Sequence, residues 1–350
     1  MAYRMIQVGC GGFGSAWCAT FLPPNVREGL IHPVAAVDIN PEALRNAQEH
    51  LGLPPERCYT DLQAALDAHE ADFCTVVVPP AHHEAVVDAA LAHDLHILSE
   101  KPIADTLEAS CRIAAKVQAA GKKMGVTMSH RFRQDITTLR RQVQSGEYGP
   151  LDYLVCRFTC ECRRFGSWGK FRHEIPDTLM VEGSVHHLDL IADLAGAKCD
   201  TIYAQTWNPT WGEFAGDSQG LVIMQMENAT RATYEGAKTN AAGLNCWGQE
   251  YLRAECKGAT LILDRQRITC QDWPNGDPHE IEHLQQPKWA NTWLIEQFVR
   301  WLDGDGPMAT NVWDNLQSVA LVFAAIESGR TGQPVKVQEF LNAAVAAGEV

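Results

Sequence analysis

The chain has 350 residues, which is enough for two domains that each bury a hydrophobic core. Its composition, 46% hydrophobic and 21% charged, is that of an ordinary globular protein, and its formal net charge at pH 7 is −14. Nucleic acid and anionic membrane surfaces are therefore not expected as main partners, because both are bound through basic patches.

The first 128 residues alternate short apolar runs with amphipathic runs, which predicts strands alternating with helices. The predicted strands are residues 4–8, 33–38, 72–78, 96–98 and 123–128, and the predicted helices are residues 12–21, 41–50, 62–68, 84–93 and 106–120. Asn40 before Pro41 has the pattern of a helix start, with a capping side chain and then proline. This order predicts a doubly wound parallel sheet, whose ligands bind beyond the carboxyl ends of the strands.

A glycine-rich turn follows the first predicted strand and precedes a helical run. In this pattern Gly9 permits the tight turn, Gly11 lets the backbone approach a pyrophosphate, and Gly14 lets the helix pack closely on the strand. Asp38 ends the second predicted strand, where its carboxylate can accept hydrogen bonds from the adenosine ribose. The predicted cofactor contacts are therefore Gly9, Gly11, Gly12, Phe13, Gly14 and Asp38.

The character of the chain changes after about residue 129. The predicted strands are residues 151–159, 201–206, 220–226, 230–235, 251–256 and 260–264, and the predicted helices are residues 135–145, 185–195, 292–303 and 312–328. We therefore predict an α/β Rossmann domain over residues 1–128. The predicted second domain, residues 129–350, is α+β with a large, mostly antiparallel open sheet, for substrate binding and oligomerisation.

Two segments follow predicted strands at the ligand-binding edge of the first domain. Glu100 and Lys101 follow the fourth strand, where a lysine can bond the nicotinamide ribose or the reacting hydroxyl and transfer protons. A solvated turn lysine is the alternative. Pro79 and His83 follow the third strand, so their loop is predicted near the cofactor, with His83 as a capping or packing residue rather than a catalyst.

The segment from Glu182 to Asp189 carries the clearest general-base candidate. If a helix begins near Ser184, His186 lies in its first turn and Glu182 lies just before it, so a carboxylate is close to an imidazole. A packed or surface histidine is the alternative. Adjacent histidines cannot both point into one site from a helix. Glu182, His186 and His187 could also suggest zinc ligands, but their spacing matches no standard zinc motif, so no metal is predicted.

An irregular loop over residues 160–178 combines basic and aromatic side chains, which suits a sugar or a carboxylated substrate. A dimer-interface loop is the equal alternative. Trp207, Trp211 and Trp247 can add apolar platforms. The predicted substrate contacts are Lys101, Arg131, Arg163, Trp168, His173, His186 and His187.

We expect the twelve cysteines to be reduced thiols rather than disulfides, because the sequence shows no other sign of a secreted protein. Cys160 and Cys162 form the only close pair, and one intervening residue is the wrong spacing for a zinc knuckle. No charged and apolar leader precedes the first strand, and no run of about eighteen apolar residues is present. A cytoplasmic location is therefore expected.

Together these motifs resemble the Gfo/Idh/MocA oxidoreductase family, which includes inositol, glucose and other sugar dehydrogenases. The resemblance rests on the glycine turn, the segment ending at His83, Glu100-Lys101-Pro102, residues 129–132, residues 186–189 and the closing segment 325–335. It implies a Rossmann domain plus an open sheet domain that packs into homodimers or homotetramers.

The resemblance also implies roles for three residues. The family's motif lysine and histidine, matched by Lys101 and His186, act beside the nicotinamide. The family usually carries aspartate where Glu182 stands, so Glu182 can orient the imidazole or contact substrate. The family uses NAD or NADP, and Asp38 without a nearby arginine favours NAD because its charge repels a 2′-phosphate.

The resulting hypothesis is an NAD-dependent dehydrogenase that oxidises a secondary hydroxyl of a sugar, cyclitol or related polyol. Two alternatives remain open at the sequence level. One is a glycosidase or lyase that oxidises a sugar carbon only transiently, and the other is a non-enzymatic NAD-bound sensor.

Overall fold

The computed structural model describes residues 2–348. The chain divides into two compact units. Of the described residues, the first unit comprises 2–132, the segment Pro287–Leu316 and 345–348. The second comprises Arg133–Gln286 and Gln317–Ala344. Residues 287–316, which we predicted in the second domain, thus belong to the first compact unit. The role assigned to residues 129–350 in substrate binding and oligomerisation stays a prediction.

The first unit contains a six-stranded parallel sheet with the strand order β3-β2-β1-β4-β5-β6. Its strands are β1 (Tyr3–Val8), β2 (Ile31–Val37), β3 (Cys58–Tyr59), β4 (Phe73–Val76), β5 (His96–Ser99) and β6 (Met124–Val126). This order confirms the predicted doubly wound Rossmann fold. The two-residue strand β3 was missed because it is too short to show a period.

The helices of the first unit lie between these strands along the chain, except α10, which comes much later in the sequence. They are α1 (Phe13–Ala16), α2 (Leu22–Arg27), α3 (Arg45–Leu51), α4 (Leu62–Ala68), α5 (His83–Ala92), α6 (Leu107–Ala119) and α10 (Ala290–Asp303). A π-helical turn, Trp17–Phe21, separates α1 from α2, and short 3₁₀ turns occur at Pro55–Arg57, Pro80–His82 and Ser129–Phe132. The prediction of one regular helix over residues 12–21 is therefore wrong, because the α-helix gives way to a π-helical turn after Ala16.

The predicted helix start at Asn40 is also wrong. Its side-chain Oδ1 accepts the backbone N–H of Glu42 at 3.1 Å, and the regular helix α3 begins only at Arg45. Asparagine side chains that bond the backbone two residues on stabilise a turn in competition with the helix. The capping residue was identified, but it caps a turn.

One hydrophobic cluster joins the sheet of the first unit to the late helix α10. Trp17, Phe73 and Phe298 are completely buried, and the rings of Phe73 and Phe298 meet edge to face with centroids 5.4 Å apart. The helical period of residues 290–303 presents Leu294, Ile295, Phe298 and Val299 to this cluster. These contacts place the segment 287–316 in the first unit.

The second unit contains a nine-stranded sheet with the order β14-β13-β12-β11-β7-β10-β9-β8-β15. Its strands are β7 (Leu151–Thr159), β8 (Cys199–Trp207), β9 (Gln219–Met226), β10 (Arg231–Ala237), β11 (Tyr251–Cys256), β12 (Ala259–Asp264), β13 (Arg267–Asp272), β14 (His279–Ile281) and β15 (Val335–Lys336). Its neighbouring strands pair antiparallel except β7 with β10, which confirms the predicted mostly antiparallel sheet. Strands β13 to β15 were not predicted.

Further helices precede, interrupt or follow the strands of this sheet along the chain. They are α7 (Gln134–Gln144), α8 (Lys170–Glu174), α9 (Val185–Ala195), α11 (Val312–Thr331) and α12 (Val337–Gly348), with a π-helical turn at Leu179–Ser184. The helices α7, α9 and α11 were predicted, whereas α8 and α12 were missed. None of the helices in the described part of the chain is long and apolar enough to cross a membrane.

The two faces of the second sheet differ in burial. On β9, Val222, Met224 and Met226 are buried, whereas Leu221 and Ile223 are 50% and 59% exposed. The helices α7 and α9 pack against strands of the sheet, and successive strand residues point to opposite faces. The sheet therefore presents a second face that carries large exposed aliphatic side chains.

Candidate functional site

The glycine turn of the first unit has no room for side chains at two positions. Gly9 has a φ of +89°, and a Cβ there would lie 2.0 Å from the carbonyl oxygen of Val77. A Cβ on Gly14 would lie 2.3 Å from the carbonyl oxygen of Gly9. Both distances are far below van der Waals contact. The close approach of helix and strand that a pyrophosphate cradle needs is therefore built into the backbone, and the turn fits a dinucleotide.

Asp38 lies directly against this turn. Its Oδ2 accepts the backbone N–H groups of Cys10 at 2.7 Å and Gly11 at 2.9 Å, and its Oδ1 accepts that of Asn40 at 2.9 Å. The structure thus brings the predicted pair Gly11 and Asp38 together. Because these bonds orient the carboxylate, Asp38 both stabilises the turn and places a negative charge beside it.

Glu100 is buried beneath the turn that carries Lys101. The indole N–H of Trp17 donates to Oε1 of Glu100 at 2.8 Å, and the backbone N–H of Lys101 donates to Oε2 at 3.2 Å. Burial raises the pKa of the Glu100 carboxyl above its usual value. These contacts make Glu100 a support for the Lys101 turn, and its predicted cofactor contact stays a prediction.

His83 connects two loops at the ligand-binding edge of the sheet. Its Nε2 lies 2.8 Å from the carbonyl oxygen of Val78, and its Nδ1 lies 3.1 Å from those of both Pro102 and Ile103. The ring is completely buried, and this burial lowers the pKa of His83. The packing alternative therefore describes the surroundings of His83. Pro79 directly precedes the 3₁₀ turn Pro80–His82, and its predicted cofactor contact stays a prediction.

Arg131 of the first unit is buried in an ion pair. Its Nη1 lies 2.8 Å from Oδ2 of Asp314 and donates to the carbonyl oxygen of Ala309 at 3.1 Å. The guanidinium is thus held by its own unit. The predicted contact of Arg131 with substrate stays a prediction.

Glu182 and His186 lie on one continuous helical stretch of the second unit. Glu182 is in the π-helical turn Leu179–Ser184, and His186 is in the first turn of α9, which begins at Val185 as predicted. Both are almost completely buried, and Nε of Arg172 donates to Oε2 of Glu182 at 2.9 Å. The Glu182 carboxylate is thereby oriented by a guanidinium that sequence reasoning did not single out for this role.

His187 belongs to the interior of the second unit. Its Nδ1 lies 3.1 Å from the carbonyl oxygen of Gly183, and its Nε2 lies 3.6 Å from Oε1 of Glu250, which also pairs with Arg133. Its ring stacks on Phe158 with centroids 4.1 Å apart. These contacts describe a packed imidazole, and its predicted substrate contact stays a prediction.

The loop over residues 160–178 divides between interior and surface. The Nδ1 of His173 lies 3.0 Å from the carbonyl oxygen of Glu213, and its buried ring stacks on Phe214 at 4.0 Å. Nε of Arg163 lies 3.0 Å from Oε1 of Glu161. Trp168 is half-buried, so of the three predicted substrate contacts in this loop it keeps the largest accessible aromatic surface.

The prediction that the cysteines are all reduced thiols is wrong for two of them. Cys160 and Cys246 form a disulfide, while the other ten are free. The backbone N–H of Thr159 donates to the carbonyl oxygen of Asn245 at 3.1 Å, which brings the end of β7 to the loop after β10. Because the two cysteines are 86 residues apart, spacing in the sequence does not reveal the pair.

Lys238 is the principal residue of this region that sequence reasoning missed. It follows β10, is completely buried, and its Nζ lies over the rings of Phe158, Trp168 and Trp247. The ring of Trp247 lies 5.9 Å from those of both His186 and His187. A lysine beyond the end of a strand has no motif around it, so only the fold reveals this position.

The parallel Rossmann-type sheet and the separate, mostly antiparallel sheet match the two parts of a family of two-domain oxidoreductases. Residues 3–128 match the Gfo/Idh/MocA family model described as "Oxidoreductase family, NAD-binding Rossmann fold". Residues 140–337 match the companion model, "Oxidoreductase family, C-terminal alpha/beta domain". The chain therefore belongs to the Gfo/Idh/MocA oxidoreductase family, which confirms the resemblance, the NAD cofactor and the dehydrogenase class.

Individual relatives cover nearly the whole chain. It is 52% identical to the uncharacterized protein y4oX of Sinorhizobium fredii (strain NBRC 101917 / NGR234), over 98% of both chains. It is 30% identical to an inositol 2-dehydrogenase of Corynebacterium glutamicum (strain R), over 93% of both.

Solved structures show the same fold at low identity. An oxidoreductase from Agrobacterium radiobacter in complex with NAD⁺, L-tartaric acid and magnesium superimposes with a TM-score of 0.85 at 18% identity, over 97% of this chain and 99% of that one. An inositol dehydrogenase homolog from Azotobacter vinelandii, complexed with NADH and myo-inositol, gives 0.81 at 18% identity, over 96% and 98%.

Proposed function

We propose that the protein oxidises a secondary hydroxyl of a sugar, cyclitol or related polyol. The observation that carries the proposal is the stretch of the second unit on which Glu182 and His186 lie buried one turn apart, within a family of NAD-binding oxidoreductases. The inositol 2-dehydrogenase named above supports the substrate class. The family match shows an NAD-binding oxidoreductase, and the polyol substrate class is what we propose beyond it.

The proposed chemistry divides among three residues. Bound NAD⁺ supplies the hydride acceptor. His186 takes the proton from the hydroxyl oxygen, as a general base whose removal typically costs 10²–10⁴-fold in rate. Lys101, which matches the family's motif lysine, donates a hydrogen bond to the nicotinamide ribose or to the reacting hydroxyl. Glu182, held by Arg172, keeps a negative charge on the helical stretch of the imidazole that becomes positive.

We further propose a physical basis for the use of NAD rather than NADP. The carboxylate of Asp38 is fixed against the glycine turn by three backbone N–H groups. A 2′-phosphate would bring a second negative charge to this edge of the site. Fluorescence titration should therefore show tighter binding of NADH than of NADPH, and equal binding would contradict the preference.

The test of the function is NADH formation across a panel of sugars, sugar acids, inositols and glycosides. The wild type should oxidise at least one polyol, and His186→Ala and Lys101→Ala should each lower kcat about a hundredfold or more on that substrate. Near-wild-type turnover of both variants would contradict the assignment. Glycoside cleavage without net NADH would instead identify the transient-oxidation alternative.

We also propose which partners the protein binds. A small carbohydrate-like molecule is the expected substrate, with no nucleic acid or membrane partner. The exposed sheet face that carries Leu221 and Ile223 supports packing against a second copy of the chain, as a homodimer or within a homotetramer. A cytoplasmic location stays an expectation from the sequence.

A further inference from the structure

A buried ammonium group organises an aromatic cluster in the second unit. Nζ of Lys238 lies 4.1 Å from the ring centroid of Phe158, 3.5 Å from that of Trp168 and 4.5 Å from that of Trp247. A cation within about 6 Å of a ring face is attracted by the ring's quadrupole, most strongly where water is excluded. We call these four residues the Lys238 cluster.

Gly183 makes room for the cluster beside the candidate general base. A Cβ on Gly183 would lie 3.2 Å from Cε of Lys238 and 3.2 Å from Cε1 of Phe158, tighter than ordinary contact. Gly183 directly follows Glu182 and lies three residues before His186. The helical stretch that carries the proposed chemistry therefore packs directly on the lysine side chain.

Trp247 extends the cluster to the imidazole of His186. The two rings meet edge to face with centroids 5.9 Å apart. The ammonium is completely buried, yet Trp247 keeps 37% of its surface exposed and Trp168 is half-buried. The cluster thus holds its cation inside and presents indole surface close to His186.

We propose that Lys238 is a positioning residue, which fixes Trp168 and Trp247 as an aromatic wall that selects cyclic substrates. This inference rests on the proposed function and narrows its substrate class to pyranoses and cyclitols. Both indoles lie in irregular segments, Trp168 between β7 and α8 and Trp247 between β10 and β11. Segments without regular hydrogen bonding need side-chain contacts to hold an orientation, and the shared ammonium supplies one contact to both.

The selection follows from the shape of the ligand. A six-membered ring with equatorial hydroxyls has a flat C–H face that an indole can cover, while its rim of hydroxyls takes hydrogen bonds. An open-chain polyol with the same hydroxyls has no such face and must lose more torsional freedom on binding. An indole wall therefore favours the ring form.

The test measures binding of two matched probes to the NADH-loaded enzyme by calorimetry: myo-inositol and D-mannitol, each with six carbons and six hydroxyls. The wild type should bind myo-inositol about tenfold more tightly than mannitol. In Lys238→Met, which removes the charge at similar length, and in Trp247→Leu, this preference should vanish while mannitol binding changes little. Trp273→Leu, at an indole 77% exposed in the same unit, is the control and should retain the preference.

The double variant Lys238→Met/Trp247→Leu adds a readout that a merely structural role would not produce. If the lysine acts through the indole, the double variant should lose no more preference than either single variant. Equal or undetectable binding of the two probes by the wild type, or a preference retained in Trp247→Leu, would overturn the inference. Failure of the proposed function is distinct, because it appears as no NADH formation from any polyol.

Discussion

Gly14 shows how completely one position can depend on the absence of a side chain. Its backbone conformation suits any residue, but a Cβ would lie 2.3 Å from the carbonyl oxygen of Gly9. The strand and the helix must therefore separate if any other residue stands there. Arg172 has an equally local role, because its Nε holds the carboxylate of the buried Glu182.

Gly14→Ala should weaken NADH binding by about a hundredfold or more, because the displaced helix N-terminus no longer cradles the pyrophosphate. Fluorescence titration with NADH measures this loss. Gly306→Ala is the matched control in the same unit, since a Cβ there meets nothing within 4 Å. Wild-type affinity in Gly14→Ala would show that the turn does not hold the cofactor.

Arg172→Met should lower kcat on the identified polyol about tenfold, because the Glu182 carboxylate loses the guanidinium that orients it. Steady-state kinetics with saturating NAD⁺ measure the change. Arg164→Met serves as the control, because this exposed arginine of the same loop pairs with Glu213 instead. A kcat unchanged by Arg172→Met would show that catalysis does not depend on the orientation of Glu182 by Arg172.

Pairs of elements in this protein are held by contacts that differ in burial. The helices α5 and α6 are joined at their surface, where the carboxylate of Glu84 forms ion pairs with Arg112 and Lys116. The end of β7 and the loop after β10 are joined covalently by Cys160 and Cys246. The first contact should respond to pH and the second to reductant.

Glu84→Gln should lower the free energy of unfolding by about 1 kcal/mol at pH 7, after allowance for solvent screening of this partly exposed pair. Arg112, followed by Lys116, lowers the pKa of Glu84 from its usual 4.5 to about 2 in the folded state. Because the folded pKa is depressed, the stabilisation is present above pH 4.5 and is lost as pH falls towards 2. Urea unfolding of the wild type and of Glu84→Gln between pH 7 and 3 should show that their difference in free energy of unfolding shrinks as the pH falls. A difference that stays constant with pH would contradict the prediction.

Reduction of the disulfide should lower the free energy of unfolding by about 4.5 kcal/mol on the chain-entropy model, because it releases a long closed loop in the unfolded chain. Urea unfolding with and without dithiothreitol measures the change. The variant Cys160→Ala/Cys246→Ala should not respond to the reductant. Alkylation of all twelve cysteines in the unfolded, unreduced protein would contradict the bond.

At the scale of the whole molecule, the exposed face of the second sheet bears on whether two copies of the chain associate. Its second face exposes Leu221 and Ile223 on β9, an inner strand of the nine. Antiparallel sheets commonly keep one face solvated, but that face is then polar. Exposed aliphatic side chains on an inner strand therefore support the proposed association of two copies.

Ile223→Lys should convert the proposed oligomer to monomers, because it replaces an exposed aliphatic side chain of the proposed contact face with a charge. Size-exclusion chromatography with light scattering measures the mass. Gln225→Lys, an exposed residue two positions along the same strand and face, tests whether the effect depends on the apolar site. A wild-type protein that is monomeric at micromolar concentration would contradict the proposed assembly.

Local patterns in the sequence determined the nucleotide-binding half of this protein. The alternation of strands and helices, the glycine turn and Asp38 lie close together along the chain, so their spacing carries their geometry. The same holds for Glu182 and His186, which one helical stretch places a turn apart. Regular backbone periods make such predictions possible.

Only the tertiary structure decided the surroundings of these residues. Lys238 meets three rings from distant segments, Cys160 pairs with Cys246, and the segment 287–316 packs in the first unit. Such contacts join parts of the chain that no period or motif connects. They form because a folded core buries apolar and paired groups wherever the topology brings them together, and that is a property of the whole chain.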